Sequence, residues 1–204
     1  MHRYDFPTAF LRDIAACLLA TALIAVFAFA TFGIEFGSAE EGPLETAQEW
    51  LLVLATAFLV AAALRQPMGA PRLASMAGAV LSAVFFFREL EPVGDGPVAT
   101  YLQSGAFRLH EAIVVAVLAI LAAPRGLRFA PEILKWLASR SVWPLALAGL
   151  VLLAADAIDG RHALWGVEWL PRAIEETMET FAYAVILACA VRWHAIARTD
   201  AARD

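Results

Sequence analysis

Apolar residues fill six stretches of the chain, at about 14–34, 45–64, 73–90, 106–123, 141–158 and 173–193, and short polar segments separate them. The stretches are Ala/Leu-rich and unbroken; Leu145–Ala155 carries no hydrogen-bonding side chain at all. About 20 mainly apolar residues cross the hydrocarbon of a bilayer as a helix. A spanning backbone must satisfy its own hydrogen bonds, which leaves helices or a closed barrel. Barrel strands would alternate apolar and polar residues over about 10 positions, and no such alternation occurs here. The pattern predicts an all-α polytopic integral membrane protein, a bundle of six transmembrane helices in one domain, 1–204.

The connections carry their own signals. Met1–Asp13 reads as short and polar. The turn Arg65–Arg72 is tight and basic, and the segment 91–105 is rich in Gly and Pro. Pro124 is expected to end the fourth span, leaving Pro124–Arg140 as a basic connector. Its amphipathic stretch (Ile133, Leu134, Leu137) is expected to lie along the membrane surface. The first apolar run is long and ends in no small-residue cleavage site, so it reads as a retained span.

Composition agrees. The chain is 61% hydrophobic with a mean hydropathy of +0.69, against about 45–50% apolar residues in a soluble domain. Charge adds the topology. With six spans in place, 15 of the 20 acids fall at one face and 11 of the 15 bases at the other, the face of both termini. An excess of Lys and Arg marks the cytoplasmic side. The expected location is the inner membrane of the cell, multi-pass, with N- and C-termini cytoplasmic. The six tryptophans fall near span ends, where an amphipathic indole belongs.

Candidate chemistry concentrates at the acidic face. The second span opens with Glu45 and Glu49, and the third closes with Arg88 and Glu89. The fourth opens with Arg108, His110 and Glu111, and the fifth closes with Asp156, Asp159 and His162. The sixth opens with Arg172, Glu175, Glu176 and Glu179, with Tyr183 a turn deeper. Helix N-termini favour carboxylates by roughly 0.3–1 kcal/mol, which accounts for Glu45, Glu111, Glu175 and Glu176 as first-turn residues. It does not account for Glu89, Asp156 and Asp159 at helix C-termini, nor for Glu49 and Glu179 a turn inside their spans. Ionisable groups at membrane depth usually face the bundle interior and have partners.

Three readings follow. In one, Glu49, Glu89, His110, Asp156 and Glu179 line an outward-facing pocket for a divalent cation. Carboxylates with imidazole suit zinc, manganese or iron, and a metal-bound water would serve hydrolysis of a small or lipid-linked substrate. In the second, Arg88 and Arg108 pair with the acids in a structural network, and the protein is a non-catalytic membrane scaffold or assembly factor. In the third, the acids form the mouth of a cation or proton pathway, although only scattered groups such as Thr21, Thr56, Ser75 and Ser82 lie deeper. The expected partners are the bilayer and a small-molecule, lipid or cation ligand from the outer side; no nucleic-acid signature occurs. No CxxC, HExxH or GxSxG is present. Cys17 and Cys189 read as packing residues, Phe85–Phe87 as lipid-facing and interfacial packing, and His2 and His194 as cytoplasmic surface groups.

Overall fold

The computed structural model describes residues 2–39, 42–90, 96–158 and 163–202. Its helices are α1 (Leu11–Gly37), α2 (Pro43–Arg65), α3 (Ala70–Glu89), α4 (Pro97–Leu102), α5 (Gly105–Leu137), α6 (Trp143–Asp156) and α7 (Leu170–Ala201). Two-residue strands β1 (Ala163–Leu164) and β2 (Val167–Glu168) form an antiparallel hairpin before α7. Trp165 and Gly166 at its tip both have positive φ, as a tight two-residue hairpin turn requires. The all-α class is as expected. Five helices, α1, α2, α3, α5 and α7, are long and apolar enough to cross a membrane.

Helix α7 is the hub. It packs most extensively on α2 and also meets α6 and α1, while α3 packs on α2. The α2 face turned inward is Glu45, Gln48, Leu52, Ala55, Leu59 and Ala62, all buried. These positions step by three and four alternately, the period of a left-handed helix seam. On α7, Glu176, Tyr183, Ala190 and Ala197 recur every seven residues, and all are buried. Ala55, Ala62, Ala182 and Ala190 are fully covered. Small side chains let helix backbones approach closely where lipid supplies no hydrophobic drive between helices.

Three expectations change. The fifth apolar stretch forms a helix of only 14 residues, about 21 Å long, against a hydrocarbon core of about 30 Å. Pro144 lies in its first turn, where a missing N–H costs nothing. Second, Pro124 does not end a span: α5 runs 33 residues through Pro124 and Pro131. Each proline removes one intrahelical bond and crowds the carbonyl four residues back, yet the helix continues on both sides. No amphipathic surface helix separates from it, and Trp136 in its last turn is buried in the core.

Third, the N-terminal segment is not a polar leader. Tyr4, Phe6 and Phe10 are buried in the main core with Trp136 and Trp193. Phe6 N–H donates to the Ser141 carbonyl at 2.9 Å. Trp136 Nε1 donates to Asp5 Oδ1 at 3.0 Å, and Arg192 donates to the Asp5 carbonyl at 3.0 Å. Tyr4 Oη accepts from Gln66 at 2.9 Å, and burial, then the nearby Asp200, push its phenol above its ordinary value. Arg3 pairs with Asp200, so the two ends of the chain meet at one pole.

Helix α1 contains a break at Gly33, where φ is 80°, a conformation that glycine adopts at no steric penalty.

Because Ala190 is fully covered on the hub helix, Ala190→Leu is expected to overpack the core and cost about 1–3 kcal/mol. A lower thermal midpoint in detergent is the readout.

Candidate functional site

At the pole opposite the chain ends, α2, α3 and α7 bring their charged turns together. Gln48 is fully buried. Its amide nitrogen donates to the Glu176 carboxylate at 2.8 Å, to the Glu176 carbonyl at 3.0 Å and to Thr180 Oγ1 at 3.2 Å. Thr180 in turn donates to the Glu176 carbonyl at 2.7 Å. Arg172 reaches the other Glu176 oxygen at 3.7 Å. This arrangement fixes the N-terminal end of α2 against α7.

Helix α3 joins through its last turn. Arg88 donates to Glu179 at 3.3 Å and lies 3.8 Å from Glu89. Tyr183 Oη donates to Glu89 at 2.9 Å. Glu179 and Tyr183 are buried, whereas about half of the Arg88 side chain is exposed. The pair therefore sits at the boundary between the packed interior and the surface. Asp156, at the end of α6, lies within electrostatic range of Arg88, and Glu45 and Glu179 lie within range of Glu176. The rings of Phe85 and Tyr183 lie 5.9 Å apart, centroid to centroid, and are tilted by 41°, so Phe85 packs against the network.

Of the residues singled out from sequence, the structure gathers Glu45, Arg88, Glu89, Arg172, Glu176, Glu179 and Tyr183, with Asp156 at the edge. Glu49 and Glu175 are half-buried and lie off the buried seam. His110 does not join them: it is exposed and hydrogen-bonds Tyr101 Oη at 2.8 Å, beside its own helix start. Arg108 forms a separate anchor, donating to the Phe87 carbonyl at 3.0 Å and to Glu111 at 3.4 Å. It thereby satisfies a terminal carbonyl of α3 and ties α5 to it. Asp159 and His162 lie outside the described residues. Among the described residues, no group of three or more His, Cys, Asp or Glu side chains is placed to hold a metal ion.

Gln48 and Thr180 are central here and were not among the sequence candidates. A signal for them exists. Gln48, Ala55 and Ala62 are seven apart, as are Ala173 and Thr180, which assigns both polar residues to the seam. At the opposite pole, Tyr4, Gln66 and Ser75 form a second polar cluster, with Ser75 donating to Gln66 at 3.2 Å. His194 is not a plain surface group either; its ring meets Phe58 at 5.5 Å.

The chain matches no protein-family model, and neither a curated protein nor a solved structure shows significant similarity to it. The arrangement consists of one guanidinium shared by two carboxylates, a phenol donating to one of them, and an amide donating to a third.

Gln48→Leu removes every donor from the amide and leaves the Glu176 carboxylate short of a buried partner, at an expected cost of about 1–3 kcal/mol. Glu35→Gln, at an exposed position near the end of α1, is expected to stay within about 0.5 kcal/mol. Paired thermal melts in detergent check the contrast.

Proposed function

We propose that this chain is a non-catalytic scaffold of the inner membrane, with six crossings and both termini cytoplasmic, and that its outer charged network holds the bundle together. The carrying observation is that Arg88 bridges two carboxylates, Glu89 of its own helix and Glu179 of α7. The neighbouring phenol and amide are likewise turned inward onto Glu89 and Glu176. Groups arranged this way satisfy one another. A hydrolytic metal site needs several ligands converging on one ion with an open position left for water, and the described residues offer no such group.

The topology has a separate support. Arg3, before α1, pairs with Asp200 in the last turns of α7. Five crossings would leave the two ends on opposite sides; an even number keeps them together. Helix α6 is the remaining apolar helix, and counting it as the sixth crossing satisfies that parity. The positive-inside rule then places the ends in the cytoplasm. A short sixth helix is accommodated by local bilayer thinning or by flanking side chains reaching to the interface. Trp143, in the first turn of α6, is such a side chain.

Three measurements decide the reading. Arg88→Ala is expected to lower stability by about 1–3 kcal/mol, because Glu179 loses a charged donor at a buried position; an unchanged melting point would remove Arg88 as the central tie. Reporter fusions after Gly96 and after Ser139 should report opposite compartments, with Ser139 cytoplasmic. Elemental analysis of purified protein should find no stoichiometric zinc, manganese or iron. A metal lost in Glu179→Gln would replace the scaffold reading with the metal-dependent hydrolase.

A further inference from the structure

A groove of about 420 Å³ runs along the bundle between α3 and α6, with α7 as its floor. Gly78 and Phe85 line it from α3, Gly149 and Leu152 from α6, Ile186 from α7, and Trp136 near its inner end. The volume is within the ordinary range of ligand pockets, about 300–1,000 Å³, and the lining is almost wholly apolar. Its outer end abuts the charged network. Phe85 packs against Tyr183, whose hydroxyl donates to Glu89. Arg88 follows Phe85 by one turn of α3, and Asp156 follows Leu152 by one turn of α6. The two groups lie within electrostatic range of each other. One end of the groove is therefore headed by charge while its length is greasy.

We propose that this groove holds one acyl chain of a phospholipid with an amine head group, the ammonium facing Asp156 and Glu89 and the phosphate beside Arg88. The inference rests on the reading of these helices as membrane spans. At that depth the available filler is hydrocarbon, because water gains nothing from an apolar slot. The slot is lined mainly by Leu, Ile, aromatic, Ala and Gly residues, with Ser82 among them, a surface that matches an unbranched hydrocarbon chain. The head group follows from charge. Arg88 stands among three carboxylates, Glu89, Glu179 and Asp156. That formal excess of negative charge repels an anionic lipid and complements a head group that carries a cation beyond its phosphate.

The test uses the full chain reconstituted in vesicles of equal phosphatidylethanolamine and phosphatidylglycerol, released in mild detergent and weighed by native mass spectrometry. Phosphatidylethanolamine should be retained at one per chain, with phosphatidylglycerol about tenfold rarer, a difference that corresponds to about 1.4 kcal/mol. A Cβ at Gly149 meets nothing within 4 Å, so Gly149→Phe fills the groove without disturbing the backbone. That variant should melt at the wild-type temperature and lose the lipid. Asp156→Asn should keep the chain-binding groove and lose most of the preference between head groups. Retention of lipid by Gly149→Phe would overturn the proposal, as would equal retention of the two lipids by the wild type. Conversion of a wild-type dimer to a monomer by Gly149→Phe would assign the groove to a second copy. Release of the protein from membranes by salt without detergent would refute the membrane placement itself.

Discussion

The contact on which the architecture depends is the closure of the polar groups in the α2–α7 seam. An apolar helix surface made of Ala and Leu can rotate against its neighbour at little cost, because many registers pack almost equally well. A buried amide beside a buried carboxylate cannot. Gln48 meets both the carboxylate and the carbonyl of Glu176 and the hydroxyl of Thr180, and moving either helix by one residue would strand those groups where neither water nor another partner replaces them. The seam below, Leu52, Ala55, Leu59 and Ala62 against the small face of α7, then packs in the register that the polar end selects.

The same logic extends outward through α3. Arg88, Glu89, Glu179 and Tyr183 repeat the arrangement with charge in place of the amide, nearer the surface, where each ion pair contributes less but specifies orientation. Arg108 adds a hold on the end of α3 from α5. Helix α6 receives no such tie in its apolar length, and it packs on α7 through Ala148 and Ala155. With α3 drawn toward α7 by its charged turn and α6 seated on another face of the hub, a groove is left between them. The network ties the last turn of α3 to α7, and the groove lies between α3 and α6 along the rest of their length.

The opposite pole is organised differently. Aromatic side chains, Tyr4, Phe6, Phe10, Trp136 and Trp193, converge there, and the N-terminal segment folds back over the C-terminal parts of α5 and α7 by hydrogen bonds to Trp136 and Arg192. One pole is held by carboxylates and their donors and the other by rings.

By itself the sequence determined the all-α class and the helices at the six apolar stretches, five of them long enough to cross a membrane. Those features follow from the length and hydropathy of each stretch, which are local properties. Tertiary structure decided the rest. Tyr4, Phe6 and Phe10 look like scattered apolar residues in a polar leader until Trp136 and Trp193 arrive to cover them. Pro124 looks like a stop because a proline disfavours helix locally, yet one missing hydrogen bond does not end a helix of 33 residues. His110 looked like a ligand because of its neighbours in sequence, but residues adjacent on a helix point about 100° apart, and it turned to Tyr101 instead. Gln48 was hidden for the opposite reason: nothing about a glutamine in a helix shows its importance until the partner helix supplies a carboxylate opposite it.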